Sequence, residues 1–150
     1  MKAKYKHTNI VARDWRALAR FYQEVFGCIP VPPERRHSGS WLDKGTGVPG
    51  AKLSGMHLRL PGYGADGPTL EIFQFEQKEE RARPVIANRE GFAHIAFEVE
   101  DIEQAISEVL THGGKKIGEQ AKHEVEDVGT IFFIYMADPE GNIIELQKWR

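Results

Sequence analysis

Residues 94–114 read HIAFEVEDIEQAISEVLTHGG, which predicts a strand followed directly by a helix. In the strand, Ile95, Phe97 and Val99 fall on one face and His94 falls on the other. Asp101 stands at the N-cap position of an amphipathic helix, and glycine follows the helix as a stop signal. The segment therefore predicts a helix packed on one face of a sheet, with His94 on the opposite face.

The same pattern occurs at residues 7–27, which read HTNIVARDWRALARFYQEVFG. Without a gap, His7 aligns with His94, and the expected helix caps Asp14 and Gly27 align with Asp101 and Gly114. Both helices carry apolar residues at i, i+3, i+4 and i+7, which is typical of a helix lying on a sheet. The residues expected to be buried are Trp15, Leu18, Ala19 and Tyr22 in the first helix, and Ile102, Ala105, Ile106 and Val109 in the second.

The repeat continues to a final strand, because TLEIFQF (69–75) matches IIELQKW (143–149) and aligns Glu71 with Glu145. Both glutamates alternate with aliphatic residues, so both are expected on the face away from the helices. We predict one α+β domain over 1–150, made of two βαβββ repeats, about 1–77 and 90–150, joined by a polar connector, 78–89. Residues 31–68 are rich in Gly and Pro and predict one or two strands within long loops, with AKLSGMHLRL the best strand.

The composition excludes several classes of protein. The chain has 150 residues and a net charge of −2, which gives no electrostatic case for binding nucleic acid or an anionic membrane. No apolar run is long enough to span a bilayer or to act as a signal peptide. Cys28 is the single cysteine, so an internal disulfide is impossible and a reducing compartment is expected. We therefore expect a cytoplasmic protein with neither membrane nor nucleic acid as a partner.

Two imidazoles and two carboxylates are expected on equivalent faces of the two repeats: His7, Glu71, His94 and Glu145. Nitrogen and oxygen donors without thiolate suit Ni, Co, Zn, Mn or Fe, and an octahedral ion would keep two positions for substrate. Each residue alone has an ordinary interpretation, as a hydrogen-bonded strand histidine or a solvated glutamate. Their repetition favours a divalent metal site, since buried carboxylates need a cation to offset their charge.

The chain resembles the vicinal oxygen chelate superfamily, which includes glyoxalase I, methylmalonyl-CoA epimerase, extradiol dioxygenases, and fosfomycin and bleomycin resistance proteins. The resemblance rests on KHTNIVARDWRALARFYQEVFGC, TLEIFQF, GFAHIAFEVEDIEQAI and DPEGNIIELQKW, and it covers essentially the whole chain. It implies two βαβββ modules forming a cup-shaped mixed sheet, a half-barrel, with helices on the outer face, and often a homodimer. It also implies that the metal ligands are His7, Glu71, His94 and Glu145.

The ligand pattern resembles that of bacterial glyoxalase I most closely, which implies a metal-dependent isomerase, lyase or epimerase. Such an enzyme abstracts a proton α to a carbonyl while the metal stabilises the enolate. Either Glu145 or Glu71 would be the base, and we favour Glu145. The substrate would be a small molecule: a 2-oxo compound, a thiol adduct or an acyl thioester.

The chain also departs from these relatives. Methylmalonyl-CoA epimerases typically have Gln where this chain has Glu71. Glyoxalases that bind glutathione carry an arginine early in the first strand, where this chain has Ile10, Val11 and Ala12, and this difference disfavours glutathione. On the AKLSGMHLRL strand, His57 and Arg59 share a face; they are candidates for contacting substrate, or else solvated residues at the rim.

Two alternative functions remain open. An extradiol-type dioxygenase would use two His and one Glu, and Glu71 would then occupy a position that dioxygen or catechol needs. A non-catalytic drug-binding protein of the bleomycin-resistance type would have no use for the four ligand-type residues. A fosfomycin thiol transferase is disfavoured, because those proteins have His where this chain has Glu71.

Overall fold

The computed structural model describes residues 1–82 and 84–150. The chain divides into two compact units, Met1–Glu80 (unit 1) and Arg81–Arg150 (unit 2), and each predicted repeat lies mainly within one of them. Each unit is a mixed α+β structure with its own sheet. No helix in the described part of the chain has both the length and the apolar character needed to cross a membrane.

Unit 1 is a four-stranded sheet in the order β1-β4-β3-β2. Strands β1 and β4 are parallel, and the other neighbours are antiparallel. Its elements are β1 (His7–Val11), α1 (Trp15–Phe26), β2 (Ile29–Ser38), α2 (Ser40–Thr46), β3 (Lys52–Arg59) and β4 (Thr69–Phe75).

Helix α1 begins and ends where the sequence predicts. The Asp14 carboxylate accepts hydrogen bonds from the backbone N–H groups of Arg16 and Ala17 at 3.0 and 3.1 Å, and Gly27 ends the helix in the left-handed conformation with φ 66°. The predicted stripe is buried, and Phe21 is buried with it. Leu58, Leu70 and Ile72 are at most 1% exposed, consistent with a strand face packed beneath a helix.

Helix α2 was not predicted from the sequence. It is only seven residues long and contains Gly45, so its helical propensity is low. Tertiary contacts stabilise it instead, because Leu42 forms a small core with Ala51 and Leu53, against which Phe73 and Phe75 pack. The Asp43 carboxylate also accepts hydrogen bonds from the N–H groups of Gly50 and Ala51 at 2.9 and 2.8 Å.

Strand β2 lies mostly within residues 31–68, where the sequence predicts one or two strands within long loops. Its prolines are tolerated because β2 is an edge strand, and its pairing with β3 shifts register between Val31 and Arg35. Such an irregularity accommodates residues that cannot donate a ladder hydrogen bond.

Unit 2 repeats the plan, with the order β5-β9-β8-β6 and β7 also paired with β8. Strands β5 and β9 are parallel, as β1 and β4 are. Its elements are β5 (His94–Glu98), α3 (Ile102–Thr111), β6 (Lys115–Lys116), β7 (Ala121–Val125), β8 (Gly129–Ala137) and β9 (Ile143–Trp149).

Helix α3 is capped by Asp101, whose carboxylate accepts a hydrogen bond from the N–H of Gln104 at 3.0 Å. Ile102, Ile106 and Val109 are buried as predicted, whereas Ala105 is half-buried. The C-terminal cap is His112 rather than Gly114. Gly114 is instead needed for close packing, because a Cβ there would lie 2.5 Å from Val109 Cγ1 and 2.6 Å from the carbonyl oxygen of Ala137.

The DPEGN turn (138–142) sets the start of β9. Asp138 is 2% exposed, and one of its carboxylate oxygens accepts hydrogen bonds from the N–H groups of Glu140 and Asn142, each at 2.9 Å. The other oxygen accepts a hydrogen bond from the Asn142 side chain at 2.7 Å. This turn fixes the point at which β9 begins, and with it the register of β9 against β8 and the position of Glu145.

Candidate metal centre

In each unit, the candidate ligands lie on the sheet face opposite the long helix. In unit 1 we call this the ligand face, defined by His7, His57 and Glu71. The register between β1 and β4 determines which residues lie on this face. Leu70 and Ile72 of β4 pair with Thr8 and Ile10 of β1 on the helix side, so the residues between them point to the opposite face. The predicted alternation of these two strands is therefore found in the structure.

Glu71 is the most enclosed of the four candidate ligands, with only 7% of the residue exposed. Its Oε1 lies 3.1 Å from Nδ1 of His7 and 3.2 Å from Nδ1 of His57. His57 is the residue directly opposite Glu71 on β3, whereas His7 reaches it from the neighbouring position on β1. One carboxylate oxygen thus contacts two imidazoles.

Burial and charge change the proton affinity of this group. Burial raises the pKa of Glu71, while the nearby charges of His7 and Arg35 act in the opposite direction. Burial also lowers the pKa of His57 to about 4, with a further contribution from Arg35. His57 is therefore neutral at pH 7, and a neutral ring that donates its Nδ1–H to Glu71 keeps an acceptor lone pair on Nε2.

The second pair lies in unit 2. His94 Nε2 is 2.9 Å from Glu145 Oε2, and the side chains are 26% and 14% exposed. Tyr135 is the residue opposite Glu145 on β8, and its ring centroid lies 4.9 Å from that of His94. A hydroxyl-bearing aromatic residue therefore stands at the edge of this pair.

The cross-strand register shows how the two repeats differ. His57 faces Glu71 in unit 1, and Tyr135 faces Glu145 in unit 2. Alignment of the two repeats within the sequence did not identify Tyr135, because an aromatic residue within the apolar run TIFFIYMA is ordinarily part of a core. Comparing the strands that pair with β4 and β9, which are β3 and β8, would have identified it.

The distances within each pair suit neighbouring ligands of one metal ion. Two donors that each lie about 2.1 Å from a metal at adjacent corners of an octahedron are about 3.0 Å apart. The His7–Glu71 and His94–Glu145 distances of 3.1 and 2.9 Å are close to that value. Within residues 1–82 and 84–150, no group of three or more His, Cys, Asp or Glu side chains is arranged to hold a metal ion. The structure thus provides one His–Glu pair per unit.

Arg59 shares the ligand face with His57, as the sequence predicts, but it is half-buried rather than fully solvated. Its Nε is buried and has no hydrogen-bond partner in the described part of the chain. Of the two candidate substrate residues, His57 therefore contacts Glu71, and Arg59 holds an unused donor.

The glyoxalase/bleomycin resistance protein/dioxygenase superfamily matches residues 4–146, which is nearly the whole chain. The chain belongs to this superfamily. The match includes both His–Glu pairs. No curated protein gives a significant match to the chain.

Solved structures of the superfamily share this fold. A glyoxalase family protein from Bacillus cereus is 19% identical, with a TM-score of 0.76, and the match covers 99% of this chain and 94% of that one. The fosfomycin resistance protein FosX from Listeria monocytogenes is 16% identical, with a TM-score of 0.61 and coverage of 100% and 96%. A FosX structure complexed with Mn(II) and sulfate is 15% identical, with a TM-score of 0.58 and coverage of 100% and 95%. At these identities, the similarity establishes the fold and not the activity.

Proposed function

We propose that the chain is a divalent-metal-dependent isomerase, lyase or epimerase of the glyoxalase I type, with His7, Glu71, His94 and Glu145 as metal ligands. The observation that carries the proposal is the pair of His–Glu contacts, 3.1 and 2.9 Å, at equivalent positions of two repeated units. The superfamily supports it, because its solved relatives include a structure complexed with Mn(II).

The donor set and the burial of Glu71 both suit a divalent ion. Two imidazoles and two carboxylates favour Ni, Co, Zn, Mn or Fe over a structural zinc site, which would normally include thiolates. A carboxylate with 7% exposure is costly to ionise without a nearby positive charge. When bound, the metal would act as a Lewis acid on the carbonyl oxygen of the substrate and stabilise the enolate.

Glu145 is the better candidate for the general base. It contacts one imidazole, and its side chain is 14% exposed, whereas the Glu71 side chain is 9% exposed and contacts two imidazoles. A carboxylate with fewer contacts can turn toward a substrate proton at lower cost. Glu71 is the alternative base, with His57 beside it to accept or return a proton through Nε2.

The proposal is tested by metal analysis combined with solvent deuterium exchange. We expect protein purified without added metal to contain Ni, Co, Zn, Mn or Fe, and to introduce deuterium into a hemithioacetal or acyl-thioester substrate in D₂O. Glu145→Gln should reduce the exchange rate by about 10²-fold or more, a typical loss for an acid–base residue. Glu124→Gln is the matched control, because Glu124 is exposed on β7.

Other outcomes would support the alternative functions. Stoichiometric Fe with oxygen uptake on catechols would favour the dioxygenase. Absence of metal, with retained ligand affinity after replacement of all four residues, would favour a drug-binding protein. Metal without proton exchange on any 2-oxo or thioester substrate would contradict the isomerase.

Two further expectations belong to the same proposal. The partners are a small-molecule substrate and a second copy of the chain, since the resemblance implies a homodimer; light scattering would show twice the mass of one chain. We also expect a cytoplasmic location, because the single cysteine is buried and unpaired.

A further inference from the structure

On the ligand face of unit 1, two arginine charges stand against a single carboxylate. Strand pairing places Arg35 opposite Gly55, and it places Arg59 opposite Thr69, on the same face as Glu71. Two histidines share this face: His7 and His57. Within the described residues of unit 1, Glu71 is the one acidic residue that strand register places there.

Neither arginine is neutralised by a carboxylate at contact distance. In the described part of the chain, Arg59 forms no ion pair, and its buried Nε lacks a hydrogen-bond partner. Arg35 donates to the carbonyl oxygens of Val31 and Pro33, which fixes its side chain without offsetting its charge. A buried donor without a partner costs free energy, so a side-chain arrangement that opens Arg59 Nε to an acceptor on a ligand would recover it.

The basic residues on the helix face of the same sheet are different. A cavity of about 650 Å³ there is lined by Arg13, Arg16, Arg36 and Lys52, together with Asp14 and Glu76. Arg16 forms a bidentate ion pair with Glu34 at 2.6 and 2.8 Å, and Lys52 Nζ lies 3.5 Å from Glu76 Oε2. These charges are largely compensated, so the ligand face is the more favourable site for an anion.

The position of Arg59 limits what the anion can be. Arg59 follows His57 by two residues, so their Cα atoms are about 7 Å apart along β3. A guanidinium binds two oxygens of a carboxylate or phosphate in parallel hydrogen bonds, either through Nε and one Nη or through its two Nη groups. A small substrate can therefore place its oxyanion at Arg59 and its reactive carbonyl beside Glu71 only if these two groups are close together in the substrate.

We propose that the ligand face of unit 1 binds the oxyanion of a small oxo compound, a carboxylate or a phosphate, through Arg59, with Arg35 as a second positive charge. This inference rests on the proposed function for the statement that the reactive carbonyl lies beside Glu71. The oxyanion site itself is a property of the metal-free protein.

The test is an NMR titration of the metal-free chain at constant ionic strength, following the Arg59 Nε–H and the His57 ring. The probes are acetate, inorganic phosphate and the uncharged acetamide. We expect saturable shifts with acetate or phosphate and none with acetamide; the tighter of the two anions identifies the substrate as a carboxylate or a phosphate. Arg59→Gln should weaken anion binding by about tenfold or more, and Arg59→Lys should weaken it less.

Arg36→Gln is the matched control, because strand pairing places Arg36 opposite Ser54 on the helix face. Equal shifts with acetamide, unchanged binding in Arg59→Gln, or a loss in Arg36→Gln instead would overturn the inference. Because no metal is present, the result is independent of the proposed function. Failure to bind a divalent ion would remove the enzymatic proposal alone, and failure to bind acetate or phosphate would remove the oxyanion site alone.

Discussion

Glu71 and Glu145 occupy equivalent positions in the two repeats but have different neighbours. Alternation along a strand is a local property, so the sequence was sufficient to predict which face carries each glutamate. The residue opposite each one, His57 or Tyr135, depends on the register between strands that are separated by a turn. Periodicity alone does not determine that register, and the sequence therefore predicted the face of each glutamate better than the residues around it.

His57 should stabilise the metal-free fold through its contact with the buried Glu71. Replacing it, as in His57→Leu, removes the donor 3.2 Å from Oε1 and should lower the free energy of unfolding by about 1–3 kcal/mol. Urea denaturation of the metal-free protein at pH 7 measures this. His123→Leu is the control, since His123 is exposed on β7, and it should change stability by less than about 0.5 kcal/mol. Equal stabilities for the two variants would show that the contact is not stabilising.

Cys28 should be unreactive in the folded protein. It is 3% exposed, and burial raises the pKa of its thiol to about 12, so the reactive thiolate is scarce at pH 8. We expect no measurable reaction with a disulfide reagent at pH 8 until denaturant is added, and then one thiol per chain. Rapid reaction of the native protein would contradict the burial of this residue.

At the level of elements, Gly55 controls how β3 and β4 pack. A Cβ at this position would lie 2.1 Å from the carbonyl oxygen of Ile72 and 2.4 Å from Phe73 Cδ1. The Phe73 ring also contacts the His57 ring, with centroids 5.5 Å apart. The glycine therefore permits an aromatic contact that helps to orient His57 beside Glu71.

Gly55→Ala should consequently destabilise the protein, by about 1–3 kcal/mol, the usual cost of overpacking. Gly45→Ala is the control, because Gly45 lies within α2 with nothing within 4 Å of an added Cβ, and it should stabilise by up to about 1 kcal/mol. Thermal and urea unfolding of both variants give the comparison. Destabilisation of similar size in both would show that backbone conformation, and not the close approach of Ile72 and Phe73, determines the effect.

Helix α2 and strand β2 mark the limit of what the sequence could predict for the elements. The long helices have strong apolar stripes and Asp N-caps. These are local signals, and from them the sequence predicted where both helices begin. Helix α2 depends on Leu42 packing against residues remote in sequence, and β2 depends on an edge position that tolerates prolines. Neither property is visible in a window of a few residues.

At the scale of the whole chain, internal duplication was the most informative feature of the sequence. It predicted the strand–helix–strand plan of both units, and the superfamily match over residues 4–146 agrees with it. Each unit supplies one of the two His–Glu pairs that the proposal assigns to the metal. The duplication therefore carries the functional proposal as well as the fold.

The most direct test is the metal content of the wild-type chain and of His7→Ala and His94→Ala, measured by elemental analysis after equilibration with excess divalent ion and removal of unbound metal. We predict one ion per chain in the wild type and a loss of nearly all of it in each variant, because the proposal assigns all four donors to one ion. Two ions per chain in the wild type, with each variant losing only one of them, would contradict a shared centre. No ion in the wild type would contradict a metal-dependent activity altogether.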